Sequence, residues 1–394
     1  MPIYYRDEKI IRPASTRKSD PVFGAAYVTR DQKDKGLEGI ERGLLVRTGL
    51  AERPAGGEQF ANFSLKEMAR ECLRISGQIP PARSLEMIGR AFTTSDFGNV
   101  LANVTNKALF EGFEQANETY PAWCDTSGIV SDFREQTLAK ISESDDLEEV
   151  AEEEEYHYGS RSDSKETFQL ATFGRLFRIS RQAIINDDLN ALTGIPRSHG
   201  EAAARKIGDV VYSVLTANET LNDGVALFNA ATHGNYVAVA SGAAPGTATI
   251  GAGILAMKSQ TDLKGLRKLN IRPEYFIAPV ALEGAAEVFF RSERFTDTDT
   301  IATDSTPAST RVNPYAGSYF TRVYDPRLDD DSATAWYLAG PKGKTVKLYF
   351  LDGEKAPFIE MRDSWTVDGL ETKVRIDAVA KAVDYRGLYC NEGT

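Results

Sequence analysis

Residues 137–179 constrain the fold most, because strand-like apolar and aromatic stretches there flank the most acidic run in the chain. "TLAKIS" is followed by "ESDDLEEVAEEEE", Glu143 to Glu155, which holds nine carboxylates in thirteen residues, and then by "EEYHYGSRSDSKETFQLATFGRLFRIS". The turn composition of "GSRSDS" between aromatic and β-branched stretches predicts a long two-stranded hairpin over about 132–180. An isolated hairpin is marginal in water, having no third strand or helix to bury its apolar face. Phe168, Leu170, Phe173 and Phe177 therefore need a surface to lie on, and the acidic flank makes the chain's own core a poor host. A neighbouring subunit is the economical one. The acidic run reads as a solvated stretch, with docking on a basic partner as the alternative.

Around this hairpin the chain alternates helices and strands. Residues 1–60 are polar, punctuated by Gly, Pro and Arg, and read as an extended arm with one helix in "LEGIERGLLVRTG". In "SLKEMARECLRISG", Ser64 and Glu67 form a capping box and Gly77 supplies a stop. A second helix is predicted in "TSDFGNVLANVTNKALFEGFEQ", capped by Ser95 or Asp96, with Phe97, Leu101, Val104 and Ala108 on one face and Pro121 ending it. "ISRQAIINDDLNALTGIPRSHGEAAARKIGDVVYSVLTAN" reads as two helical pieces broken at Gly194 and Pro196. The second runs from a Ser198/Glu201 capping box to Asn218, with Ile207, Val210, Val211, Val214 and Leu215 forming its buried stripe. Helices follow in "GILAMKSQTDLKGLRKL" and "VALEGAAEVFF", with the strand "EYFIAP" between them. From Tyr319 strands dominate: "YFTRVY", "AWYLAG", "VKLYFL", "FIEMRD" and, after the turn signal Asp368-Gly369, "ETKVRIDAVAKAVDYRGLY".

Composition narrows the function classes. At 394 residues with 42% hydrophobic side chains, the chain can bury a substantial core. No run of about 18 apolar residues exists, and the charged N-terminus lacks a signal peptide's apolar segment. Secretion and membrane spanning are not expected. Cys72, Cys124 and Cys390 lie far apart without CxxC spacing, which suggests neither a zinc site nor a disulfide framework and fits a reducing compartment. A net charge of −11 works against tight sequence-specific binding of nucleic acid.

Several segments resemble chemistry. In "LFNAATHGN", His233 stands in a turn near Asn229 and Asn235, where an imidazole could serve as base or ligand. Gly251-x-Gly253-x-x-Ala256 superficially matches a dinucleotide fingerprint, but no long apolar strand precedes it. "GPKGKT" mimics the end of a P-loop, yet Leu338 stands where its first glycine is needed, so it reads as a basic hairpin turn. Asp297, Asp299 and Asp304 lack the glycine and terminal glutamate of a calcium loop. His157 reads as a strand residue alternating with Tyr156 and Tyr158, and His199 as a first-turn helix residue. None of the three histidines sits in nucleophile-elbow or zincin spacing.

The order of "RAFTTSDFGNVLANVTNKAL", "EEYHYGSRSDSKETFQLATFGRLFRISRQAIINDDLNAL", "IPRSHGEAAARKIGDVVYSVLTAN" and "DGVALFNAATHGN" resembles the capsid part of the prohead protease/major capsid fusion proteins of tailed bacteriophages. The resemblance runs from about Arg90 to Asn235 and continues more loosely to the closing strand near Tyr389; "IERGLLVRTGL" and "SLKEMARECL" resemble that family's protease-to-capsid joining segment. The family's protease domain is not expected in this chain.

The resemblance implies an α+β fold of the Hong Kong 97 type. Its parts would be an N-terminal arm with short helices (1–131), an extended E-loop hairpin (132–180), a peripheral domain with the spine helix (181–271 and 351–394) and an axial domain (272–350). It further implies a major capsid protein, not an enzyme, that needs no cofactor or metal and self-assembles into the pentamers and hexamers of an icosahedral head enclosing double-stranded DNA. The chain would be made in the bacterial host cytoplasm and reside in the virion. Portal, scaffolding and decoration proteins would be its partners, and DNA would be held non-specifically.

Phe168, Leu170, Phe173 and Phe177 are then expected to pack on an adjacent subunit. Glu152, Glu153, Glu154 and Glu155, within Glu148 to Glu155, would meet basic residues or solvent at a seam between capsomers. The segment beginning at Met1 is expected to be ordered and retained in the particle. Two alternatives stay open: a nanocompartment shell enclosing an enzyme cargo, and a soluble enzyme using His233.

Overall fold

The computed structural model describes residues 32–53, 59–93, 95–141, 163–265, 267–296, 310–363 and 369–394. Four helices lead: α1 (Gln32–Arg47), α2 (Leu65–Ile75), α3 (Ser84–Thr93) and α4 (Ser95–Gln115). The capping box of α2 is present, the Glu67 amide donating to Ser64 Oγ at 3.3 Å and the Ser64 amide to Glu67 Oε2 at 2.8 Å. Gly77 follows in the left-handed region with φ 74°.

The helix expected in 37–49 is α1, but it is docked on its neighbours instead of lying in an extended arm. Ile40 and Leu44 of α1 are fully buried with Met68 and Leu73 of α2, Met87 and Ile88 of α3, and Phe97 and Leu101 of α4. Gly43 lets α1 settle on Phe60, whose Cβ would lie 2.6 Å from an added Cβ. The arm's first 31 residues lie outside the described residues. Pro121 does not end α4, which stops at Gln115; it sits in a single 3-10 turn, Tyr120–Ala122.

The chain then enters β1 (Asp125–Val130), β2 (Gln136–Ile141), β3 (Asp163–Phe168) and β4 (Ala171–Ser180), followed by α5 (Arg181–Ile185) and α6 (Leu189–Thr216). The predicted break at Gly194 and Pro196 is absent, because α6 is one helix of 28 residues with Pro196 inside it. Its N-cap is Asp188, whose carboxylate accepts from the Asn190 and Ala191 amides, and Ser198 lies mid-helix. Proline costs the helix one backbone hydrogen bond. Burial of Leu192 and Pro196 against neighbouring elements offsets that loss.

The remaining elements are β5 (Tyr236–Val237), α7 (Thr247–Ser259), β6 (Tyr275–Ala278), α8 (Glu283–Arg291), β7 (Arg294–Thr296), β8 (Thr310–Val312), β9 (Thr321–Tyr324), β10 (Trp336–Ala339), β11 (Val346–Leu351), β12 (Phe358–Asp363), β13 (Gly369–Ala382) and β14 (Leu388–Asn391). Two five-stranded sheets organise the α+β architecture. The first runs β1-β11-β13-β12, with β4 pairing the opposite edge of β13; the second runs β5-β14-β10-β6-β9. α6 lies against the first sheet, and one core unites Ile207, Val211, Tyr212 and Leu215 with Leu348, Phe350, Ile376 and, from the second sheet, Tyr337 and Leu388. α7 and α8 cover the second sheet through Ile250, Met257, Phe290, Trp336 and Tyr389.

Sheet membership cuts across the division at residue 350. β11 belongs with β13, whereas β14 pairs β10 and β5 in the second sheet. "GPKGKT" is a turn with Gly343 at φ 88°, but it joins strands of different sheets and closes no hairpin. The long hairpin is also re-registered: β3 pairs β2, from Gln136↔Phe168 to Ile141↔Asp163, and β4 pairs β13 over Gly369↔Ser180 to Ala378↔Ala171. The acidic run and most of "GSRSDS" lie outside the described residues.

Candidate functional site

The β2–β3 hairpin, the strand β4 that follows it and the link between them carry the four apolar residues Phe168, Leu170, Phe173 and Phe177. The hairpin's base is fixed to its own chain. Phe168 stacks on Tyr349 of β11 with ring centroids 4.3 Å apart, and Leu170 and Val130 complete a small buried cluster. Glu166 is buried and accepts from the Asn222 amide at 3.0 Å, which ties β3 to the turn beyond α6. Gln169 Nε2 donates to the Phe133 carbonyl at 2.9 Å.

The four apolar residues assigned to a neighbouring subunit are thus covered within the chain. Phe177 is buried with Leu109 and Val374 and stacks on His199 at 4.7 Å. Phe173 packs against the main core beneath Lys206, whose Nζ is 4.8 Å from the ring centroid. The physical reason is a partner that local reading could not supply. β13 gives β4 a ten-residue antiparallel ladder, and alternation then turns Phe173, Phe177 and Ile179 inward. Glu152, Glu153, Glu154 and Glu155 lie outside the described residues.

The opposite face of β4, β13 and β12 carries a charged ladder between two exposed apolar side chains. Leu176 is 62% exposed and Phe358 is 51% exposed. Between them Arg362 pairs with Glu371 at 3.4 Å, Lys373 with Glu360, and Arg375 with Asp377 at 3.6 Å, while the Arg375 guanidinium lies 4.7 Å from the Phe358 ring centroid. Lys373 holds the Glu360 carboxyl below its ordinary range. These charges answer one another, so the face offers a mixed polar surface with two apolar anchors.

A second feature escaped sequence reading. Arg327 lies where α6 meets the second sheet and reaches three carboxylates: Asp209 Oδ1 at 2.7 Å, Glu118 Oε1 at 3.0 Å and Asp325 Oδ2 at 3.2 Å. It also donates to the Arg205 carbonyl at 3.2 Å. Gly208 opens the passage, since an added Cβ would lie 2.7 Å from the Arg327 guanidinium carbon. Burial pushes the Glu118 carboxyl upward despite the guanidinium. The arrangement clamps α6, and its only trace in the sequence is Asp325-Pro-Arg327 after a strand.

The segments that resembled chemistry have structural roles. His233 is buried, with Nδ1 3.1 Å from the Leu227 carbonyl and Nε2 2.9 Å from Asp223 Oδ2, and its ring stacks on Tyr385 at 3.8 Å. Asn229 accepts from the Ala231 and Thr232 amides, and Asn235 Nδ2 donates to the Leu227 and Tyr385 carbonyls. Gly253 is a packing glycine: a Cβ would lie 2.8 Å from Leu338 and 2.9 Å from Tyr389. His199 is mid-helix, where burial first, and then Arg175, lower its pKa. Burial pushes the Cys72 and Cys124 thiols up to about 12. His157 and the Asp297, Asp299 and Asp304 stretch lie outside the described residues. Among the described residues no group of three or more His, Cys, Asp or Glu could hold a metal ion, and no helix is long and apolar enough to cross a membrane.

A family model described as phage capsid protein matches residues 164–391. No curated protein sequence matches the chain. Among solved structures, a protein of Mycobacterium phage Adephagia is 12% identical, with 71% of this chain and 90% of that chain covered and a TM-score of 0.45. A virus-like particle protein from Pyrococcus furiosus is 8% identical over 74% of this chain and 98% of that chain, with a TM-score of 0.42. An encapsulin complex from Synechococcus elongatus gives 9% identity, 71% and 89% coverage and a TM-score of 0.43. The family match begins in β3 and ends with β14, spanning β4, α6 and most strands of both sheets over more than half of the sequence, and on that match the chain belongs to the phage capsid protein family.

Proposed function

We propose that this chain is the major shell subunit of a phage head of the Hong Kong 97 type, closing into pentamers and hexamers around double-stranded DNA. The family match over residues 164–391 carries the reading. A shell subunit works through heterologous contacts that close into rings. The β2–β3 hairpin, held at its root by Glu166 and Phe168, is suited to reach a neighbouring copy while its base stays fixed. In this reading Glu152, Glu153, Glu154 and Glu155 make contact between copies, and α6 is the spine that Arg327 locks to the second sheet.

Negative-stain microscopy of the purified chain tests the proposal. Closed shells or rings of five and six are expected, and discrete small oligomers without shells would overturn it. The contents of particles from the producing cell decide what is enclosed: nucleic acid supports the head, and a protein cargo would replace it with a compartment. Mass spectrometry of those particles checks whether the segment from Met1 is retained.

A further inference from the structure

α7 ends at Ser259, and the residues after it turn back in a tight loop where a helix through Leu269 was predicted. The Leu269 amide donates to the Gln260 carbonyl at 2.8 Å, the Asp262 amide to the Arg267 carbonyl at 2.9 Å and the Gly265 amide to the Asp262 carbonyl at 3.1 Å. Gln260 leaves the helical region with ψ 139°, and Gly265 takes φ 74° where the loop reverses. Gln260 Nε2 donates to the His233 carbonyl at 2.7 Å, tying the loop to the His233 turn, and the Arg272 guanidinium lies 5.0 Å from the Tyr319 ring centroid.

This loop is cationic on balance, with Lys264, Arg267, Lys268 and Arg272 against the single acid Asp262, whose Oδ1 accepts from the Arg267 amide at 3.4 Å. Residues 264–272 hold all four cations with no acid, and no other nine-residue stretch of the sequence carries as high a net positive charge. Lys258, at the end of α7, adds a fifth cation nearby. Arg267, Lys268 and Arg272 are exposed. The opposite charge is equally concentrated: the chain carries −11, and without the nine carboxylates of Glu143 to Glu155 it would carry −2. The acidic run springs from a hairpin rooted on the first sheet, whereas the basic loop closes the end of α7 over the second.

We propose that the loop formed by residues 260–272 receives the acidic run, Glu143 to Glu155, of a second copy of this chain. The inference rests on the shell reading and adds the receiving surface. A loop already ordered by backbone hydrogen bonds loses little conformational freedom on binding. Segregated charges of opposite sign steer encounter and fix register. Nucleic acid is the competing polyanion, but a chain of net charge −11 repels a phosphate backbone, whereas the acidic run arrives on an anchored hairpin.

Charge exchange tests the contact. The variant K264E/R267E/K268E and the variant E152K/E153K/E154K/E155K should each fold, as judged by circular dichroism and melting, yet yield about tenfold fewer shells than the parent chain. Mixing the two variants in equal amounts should restore shells, because each then presents a loop that complements the other's run. Should the triple variant fail to fold, K264Q/R267Q/K268Q replaces it, with the same loss of yield expected. The parent chain's yield should fall as salt rises from about 0.15 M to about 1 M, where the screening length shortens from about 8 Å to about 3 Å.

Parental yield from a folded loop variant would overturn the contact. So would rescue only when both sets of changes share one chain, which places the contact within a subunit. Normal shells that have lost enclosed nucleic acid would assign the loop to nucleic acid instead. Failure of the unmodified chain to form any shell overturns the shell reading itself, which keeps the two failures distinct.

Discussion

Gly200 of α6 faces Leu109 of α4 where the two helices cross with no space for a side chain: a Cβ on Gly200 would collide with the Leu109 carbonyl oxygen and lie 2.8 Å from the Phe113 amide nitrogen. Gly112 repeats the arrangement from the other helix, its added Cβ falling 2.8 Å from the Arg197 carbonyl carbon. The obstructing atoms are backbone, so no side-chain rotation relieves the clash. Gly200→Ala should therefore cost about 3 kcal/mol or more, at the upper end of overpacking effects. Gly98, also in α4, has nothing within 4 Å of an added Cβ. Gly98→Ala should stabilise the chain by about 0.5–1 kcal/mol through helix propensity alone. Thermal melts of the two variants should move in opposite directions, and a shared direction would refute the crossing argument.

Asp187 makes stability depend on acid. It takes φ 58° between α5 and α6, forms a bidentate pair with Arg47 of α1 and accepts from the Leu65 amide at 2.8 Å. The hydrogen bond from Arg47 holds its carboxyl below the ordinary value of 3.8. A depressed folded-state pKa contributes stability that is fully present above the unfolded value and is lost as pH falls through the folded one. Asp187→Asn tolerates the left-handed backbone but cannot be ionised. At pH 6 the variant should be less stable by about 1–3 kcal/mol, the range for charged hydrogen bonds. That gap should close on titration below about pH 4. A gap that stays constant down to pH 2 would remove the ion pair from the account.

Local signals carried the parts of the fold with local causes. The Ser64/Glu67 cap, the Gly77 stop, the buried face of α4 from Phe97 to Ala108 and most of the apolar stripe of α6 follow from spacing and turn chemistry. Errors arose where a distant partner decides. Pro196 breaks a helix by local rules, yet burial and the Asp188 cap carry α6 through it. Phe173 and Phe177 lack a host until β13, some two hundred residues later, pairs with β4. The Arg327 clamp gathers side chains from α6, the α4–β1 connection and the turn after β9, and no window of sequence holds them together.

Phe168 should matter more for presenting the hairpin than for global stability. Its ring stacks on Tyr349, which alternates along β11 with the main-core residues Leu348 and Phe350, in a separate cluster whose other buried members are Val130 and Leu170. Phe168→Ala removes the stack and most of that cluster's apolar area, while α6 and both sheets keep their packing. Hydrogen exchange across 136–141 and 163–168 should accelerate at least about tenfold, since local opening then costs less than global unfolding. Shell yield should fall with it. Unchanged exchange in both strands would mean that Glu166 alone roots the hairpin.

His233 provides the sharpest separation between a reactive and a supporting role. Its side chain is 1% exposed and makes hydrogen bonds only within its turn, to Leu227 and Asp223, while Tyr385 closes one face of the ring. A base must reach the proton it removes, and no open face of this imidazole meets solvent. His233→Ala should therefore act on the turn: the Asp223 carboxylate loses a partner and the Tyr385 ring loses its cover, at a cost of about 1–3 kcal/mol. Gln260, which donates to the His233 carbonyl, should keep the backbone close to its path. The melting temperature should drop while the folded fraction still forms shells at the parental yield per folded subunit. Loss of assembly in fully folded His233→Ala, by contrast, would show that the turn itself meets a neighbouring copy.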